Sequence, residues 1–182
     1  MFKSLLVAAT LALLSLPLAA TATLAQTAAP DCGTATNVAS VKIKIAACID
    51  MNDWNAGEGT GEQEFVYFSK DGNVGFAYIT EKAYAPLDAY GEAIIAYAVQ
   101  QTGGAAGSIV PFEPQEHEIN GKTWRSMRYK VNVQGNDLEF LNYYFSDPGF
   151  VSAQLVFWTL PSGTAFGTAL ADKVMPTVTV GG

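Results

Sequence analysis

His117 is the single histidine in this chain of 182 residues. A Ser–His nucleophile pair, a His-relayed proton path or a two-histidine metal site would each use it or need more than it. It stands between Glu116 and Glu118 in a short strand-like stretch, Glu116 to Ile119. Alternation sends it to the face opposite both carboxylates, so it reads as a solvated residue near a sheet edge. No Gly-x-Ser-x-Gly elbow, phosphate loop or dinucleotide fingerprint accompanies it. The Gly-rich run Gly103–Gly107 follows a helical stretch, whereas a phosphate-binding loop precedes one.

Carboxylates are the next source of chemistry. Glu58, Glu62 and Glu64 form one cluster, and Glu113, Glu116 and Glu118 form another. Two carboxylates at short range can cleave a glycosidic bond. Both clusters lie in or beside loops, where the plain expectation is a solvated acidic surface. Asp53, Asn55, Gly57 and Glu64 fall at positions one, three, five and twelve of a calcium-type loop. Glu58, however, occupies the place such a loop reserves for glycine, and strands rather than helices flank it. No metal or cofactor is therefore assigned. Cys32 and Cys48 lack Cys-x-x-Cys spacing, and no Lys, Arg or His adjoins either thiol. They are expected to form a disulfide, closing a loop of about 15 residues worth roughly 3 kcal/mol.

Aromatic side chains supply the candidate binding site. Alternation puts Trp124 and Arg128 on one side of their strand, away from Met127 and Tyr129. It puts Gln154 and Trp158 on the side away from Leu155 and Phe157. In a simple meander the two strands lie two ranks apart, roughly 10 Å at about 4.8 Å per strand. With registers in step, Trp124, Arg128, Gln154 and Trp158 share one partly polar aromatic surface of the kind that anchors partners. If helices or the N-terminal strands cover both faces of the sheet, the same residues are core.

The elements that must position these residues follow from periodicity. Val41, Ile43 and Ile45 alternate with Lys42 and Lys44, a half-buried strand. Asp50 to Gly61 reads as a polar loop containing Trp54. Phe65 to Phe68 and Val74 to Thr80 are strands joined at Asp71-Gly72. Pro86 opens a helix with Leu87, Tyr90, Ile94, Tyr97 and Ala98 on its apolar face, ended by Gly103-Gly104. Four strands then form a meander: Glu116–Ile119, Thr123–Val133, Leu138–Phe145 and Val151–Thr159. Their turns are Asn120-Gly121, Gly135-Asn136 and Asp147-Pro148-Gly149. Ser162 is placed to cap a final helix carrying Phe166, Ala169, Leu170 and Val174, which Pro176 stops. Strands in runs with helices between them predict an α+β domain: an antiparallel sheet packed by two helices.

The first residues have the parts of an export signal. Lys3 supplies the charge, and Leu5–Leu18 form an apolar run shorter than the roughly 20 residues of a spanning helix. Small-x-small sites follow at Ala22 and Ala25; the second is favoured and leaves Gln26 first. Residues 1–25 are thus expected to be a signal peptide, and 26–182 a single soluble domain that does not insert stably in a membrane. Cleavage takes only Lys3 from the 10 basic and 17 acidic side chains, so the net charge moves from −7 to −8. Such a surface repels phosphate backbones, which excludes nucleic acid as a partner.

The order of elements from Val41 to Val174 resembles the PsbP-like (Mog-type) α/β/α sandwich. An early strand ends near the Asp53-Trp54 loop, and the long meander contains the Gly121-Lys122-Thr123-Trp124-Arg125 hairpin. The resemblance implies a non-enzymatic accessory or binding domain, often exported, and hands over no catalytic residues. The expectation is accordingly a non-catalytic periplasmic or secreted domain whose partner is a protein or a small apolar ligand. The alternatives are a periplasmic hydrolase using acidic residues and a calcium-stabilised envelope module.

Overall fold

A computed structural model describes residues 30–102, 109–111, 113–133, 135–149 and 151–181. The expected leader, the new terminus at Gln26 and the Gly103–Gly107 stretch lie outside them.

The long meander forms as its turns require. Gln115–Ile119 (β7) and Lys122–Val133 (β8) meet at Asn120-Gly121, whose φ angles of 49° and 76° are those of a tight two-residue hairpin. Asn136–Asp147 (β9) and Val151–Thr159 (β10) continue it. The sheet extends beyond the meander. β10 pairs on its far side with Val74–Glu81 (β5), which leads through Gln63–Ser69 (β4) to an edge at Trp54–Gly57 (β3). A short strand, Ile109–Pro111 (β6), lies along β8 beyond β7. All of these pairs are antiparallel. The chain leaves β5 in mid-sheet and must reach β6 at the far edge. Leu87–Gln101 (α1) makes that crossing and so covers β8 and β9 on one face.

The other face is covered by Thr164–Val174 (α2) and by a small sheet of Thr36–Ala39 (β1), Ile45–Ile49 (β2) and Thr179–Val180 (β11). Its core contains Phe76, Tyr78, Trp124, Leu155 and Phe157, packed with Ile45, Ile49, Leu170 and Val174. Under α1 the core is Tyr90, Ile94 and Ala98 on Met127, Tyr129, Val131 and Tyr144. Cys32 and Cys48 are joined as a disulfide, with 5.3 Å between their Cα atoms, tying the segment before β1 to β2.

Several local expectations are corrected. Residues 41–44 form bends, not a strand, and Val41 is 89% exposed. The Glu64 carboxylate accepts the Val41 N–H at 2.6 Å and the Ser40 hydroxyl at 2.8 Å, while Ser40 Oγ accepts the N–H groups of Lys42 and Ile43. Side chains thus supply the hydrogen bonds that a ladder would have given. Trp54 lies on a strand and in the core, its ring 5.6 Å from Phe76, because β3 pairs with β4. Tyr97 is 64% exposed, since the row Tyr90–Ile94–Ala98 with Gly91 faces the sheet. Ser162 caps nothing: it sits in a 3-10 turn, Pro161–Gly163, ahead of α2. Phe166 and Ala169 face solvent, because Gly167 lets α2 approach Thr159 and Val74 on the opposite side of the helix.

Candidate binding groove

Strand register divides the four residues expected to form one surface. Trp124 belongs to the face under α2, is 0% exposed, and packs 5.2 Å from the Phe145 ring. Arg128 shares that face, where it pairs with Glu139 at 3.3 Å and donates to the α2 residue Thr168 at 2.8 Å. Trp158 and Gln154 point to the α1 face. Trp158 aligns across the strands with Phe140 and Tyr129, whereas Trp124 lies in the rank of Phe145 and Ala153, near the other end of the strands. The common surface is therefore corrected to two pairs on opposite faces. The physical reason is that the turns set the register of β8 against β10 so that Trp124 and Trp158 differ by an odd number of ranks.

Gln154 is a structural clamp. It donates to Tyr90 Oη at 3.2 Å and accepts from Asn142 at 3.3 Å, fastening α1 to the sheet. Tyr90 Oη donates in turn to Glu81 at 3.3 Å. Burial holds the Tyr90 phenol above its ordinary pKa. Trp158 belongs to a rank of rings running across the sheet. Phe68 meets it edge-on at 6.1 Å, Phe140 stacks on its other side at 6.5 Å, and Tyr129 stacks on Phe140 at 5.1 Å. Gly75 stands in that rank between Phe68 and Trp158. A Cβ there would lie 2.0 Å from the Trp158 ring, so only glycine lets the indole rest on the sheet.

The clusters weighed for chemistry are dispersed. Asp53 pairs with Lys173 at 2.7 Å, Asn55 accepts from Lys70 at 2.7 Å, and Glu64 is occupied by Ser40, Val41 and Thr80. The hairpin of β3 and β4 strings these oxygens out rather than curling them round an ion. Among the described residues no three His, Cys, Asp or Glu side chains gather as a metal site. Glu58, Glu62, Glu113, Glu116 and Glu118 are exposed.

His117 is half-buried rather than solvated. Its Nε2 lies 2.7 Å from Ser126 Oγ, and its ring is 5.3 Å from Tyr143, in a crevice of about 390 Å³ beside the end of α2. That distance suits a nucleophile and its base. Yet Ser126 sits on β8 where the strand is paired on both sides, with Gln115 and with Tyr143. The surrounding N–H groups belong to the ladder and cannot form an oxyanion hole. The contact was legible in the sequence: a two-residue turn at Asn120-Gly121 pairs His117 with Trp124 and brings Ser126 to the same face.

A larger concavity separates α1 from the β6–β7 edge. It has a volume of about 650 Å³. Met127 of β8 and Tyr144 of β9 form its floor with Arg125. Asp88, Gly91, Glu92, Ile95 and Ala96 form the α1 wall, and Pro111, Glu113 and Pro114 the outer wall. Gly91 permits the close approach of α1, since a Cβ there would lie 2.8 Å from Tyr144 Oη. Arg125 spans the groove. It donates to Asp88 in the first turn of α1 and, through Nε and Nη2 at 3.1 and 3.0 Å, to Glu116 on β7. The hydrogen bond to Asp88 is the main reason its guanidinium is held above the usual pKa, with Glu116 adding to it against desolvation. Alternation along β8 places Arg125 with Met127, but only the crossing of α1 creates the groove.

The sequence matches no family model, and it matches no curated protein. The fold is PsbP-like. The chain is similar to CyanoP, the cyanobacterial PsbP of Synechocystis sp. PCC 6803, with a TM-score of 0.60 at 12% identity over 81% of this chain and 92% of that one. It is also similar to LpqN of Mycobacterium tuberculosis, a protein involved in cell envelope biogenesis, with a TM-score of 0.53 at 11% identity over 81% of this chain and 90% of that one. No described helix is long and apolar enough to cross a membrane.

Proposed function

We propose that this protein is a non-catalytic, extracytoplasmic binding or accessory domain that takes the apolar part of a ligand or partner into the groove between α1 and the β6–β7 edge. The observation that carries this reading is the groove itself. Its volume of about 650 Å³ falls within the range of ligand sites, and its floor joins apolar surface to a single fixed guanidinium. The Cys32–Cys48 disulfide and the signal-like first 25 residues support a compartment that is oxidising, where such bridges persist. The likeness in fold to an envelope-biogenesis protein is in keeping with that compartment. Catalysis draws little support, because the one His–Ser contact lacks an oxyanion hole and the carboxylate clusters are dispersed at the surface.

Ala96 is exposed on the α1 wall, so Ala96→Trp fills the groove without entering the core. Capture of a partner from envelope extract by the mature protein should be lost in Ala96→Trp, with the melting temperature unchanged. Equal capture by both proteins would refute the assignment of the site.

A further inference from the structure

The charges lining the groove are one-sided. Asp88 and Glu92 stand one helical turn apart on the α1 wall, and Glu113 faces them from the outer wall. The single cation, Arg125, is already engaged by Asp88 and Glu116. Glu92 and Glu113 have no ion-pair partner among the described residues. An anionic ligand would have to displace two carboxylates from Arg125 and then sit near two more. A neutral apolar ligand would leave the two free carboxylates unused. We infer that the groove selects a small amphiphilic amine, whose apolar body lies on Met127 and Ile95 while its ammonium group is held between Glu92 and Glu113. The proposal rests on the groove being the binding site.

Two physical points favour this occupant. Net charge of −7 draws cations towards the protein, and carboxylates flanking a low-dielectric floor concentrate that field. A protein segment adding as a strand is disfavoured on the outer wall, because Pro111 and Pro114 have no backbone N–H to give.

The test compares three probes of equal chain length: octylammonium, octanol and octanoate. The readout is the methyl resonance of Met127 in the full mature chain. Octylammonium should bind most tightly, octanoate least. In the double variant Glu92→Gln/Glu113→Gln its affinity should fall roughly tenfold, within what two exposed ion pairs supply, and 0.5 M salt should mimic the loss. Octanol binding as tightly as octylammonium, or an unchanged affinity in the double variant, would overturn the charge selection while leaving the groove as the site. No shift with any probe would overturn both. Shifts with a Lys-Leu-Lys-Leu peptide but none with octylammonium would overturn the small amine and keep the groove.

Discussion

Replacing Trp124 tests whether its ring is core or binding surface. The indole is fully buried, packed on Phe145 beneath α2 and the small sheet, and its Nε1–H has no partner among the described residues. Trimming it to alanine removes roughly 200 Å² of buried apolar surface, about 5 kcal/mol at about 25 cal/mol per Å². The cavity adds about 1 kcal/mol after partial collapse, and removing the unpartnered N–H offsets about 1–3 kcal/mol, so the expected loss is about 4 kcal/mol. Trp124→Phe removes only about 50 Å², near 1 kcal/mol, and leaves a small cavity worth about 1 kcal/mol more. It also removes a buried donor without an acceptor, which recovers about 1–3 kcal/mol. The phenylalanine variant should thus stay within about 1 kcal/mol of the parent. Urea unfolding followed by far-ultraviolet circular dichroism measures both, with the m-value checking that the denatured state is unchanged. A loss below about 1 kcal/mol for Trp124→Ala would show that the ring is not core. A loss of about 2 kcal/mol or more for Trp124→Phe would refute the unpartnered N–H.

Cys48→Ser should lower stability by about 3 kcal/mol, and thiol labelling of the native protein should detect no free cysteine. Gly75→Ala should cost about 1–3 kcal/mol, since the new methyl drives the Trp158 ring off the sheet; the near-ultraviolet dichroism of the tryptophans should change with it, and an unchanged spectrum would count against the stacked rank. Burial pushes the Glu64 carboxyl up, but hydrogen bonds from Thr80, Val41 and Ser40 and the charge of Lys42 outweigh it and hold the pKa below the ordinary value. Its contribution is then present above the unfolded value, about 4, and is lost as pH falls through the lower folded value. Melting temperatures between pH 6 and pH 3 should fall less steeply in Glu64→Gln than in the parent, and parallel curves would remove Glu64 from the account.

Local chemistry determined much of this protein from the sequence alone. Asn120, Gly121 and Gly72 adopt left-handed backbone that few other residues tolerate, so the turns stand where the residues said. Period-two runs such as Val74–Phe76–Tyr78 put their large side chains on one face, and the two cysteines had only each other. What periodicity cannot carry is the register between strands distant in sequence. Whether Trp124 and Trp158 share a face depends on how β8, β9 and β10 slide past one another, and one step of slide exchanges the faces. Residues 41–44 alternate like a strand, yet Glu64, some twenty residues later, bends them away with its own hydrogen bonds. The groove belongs wholly to the tertiary structure. Its walls come from α1, from β8 and β9, and from Pro111, Glu113 and Pro114, and they meet because the chain must cross a whole sheet face between β5 and β6. Arg125 and Asp88, 37 residues apart, become partners only through that crossing.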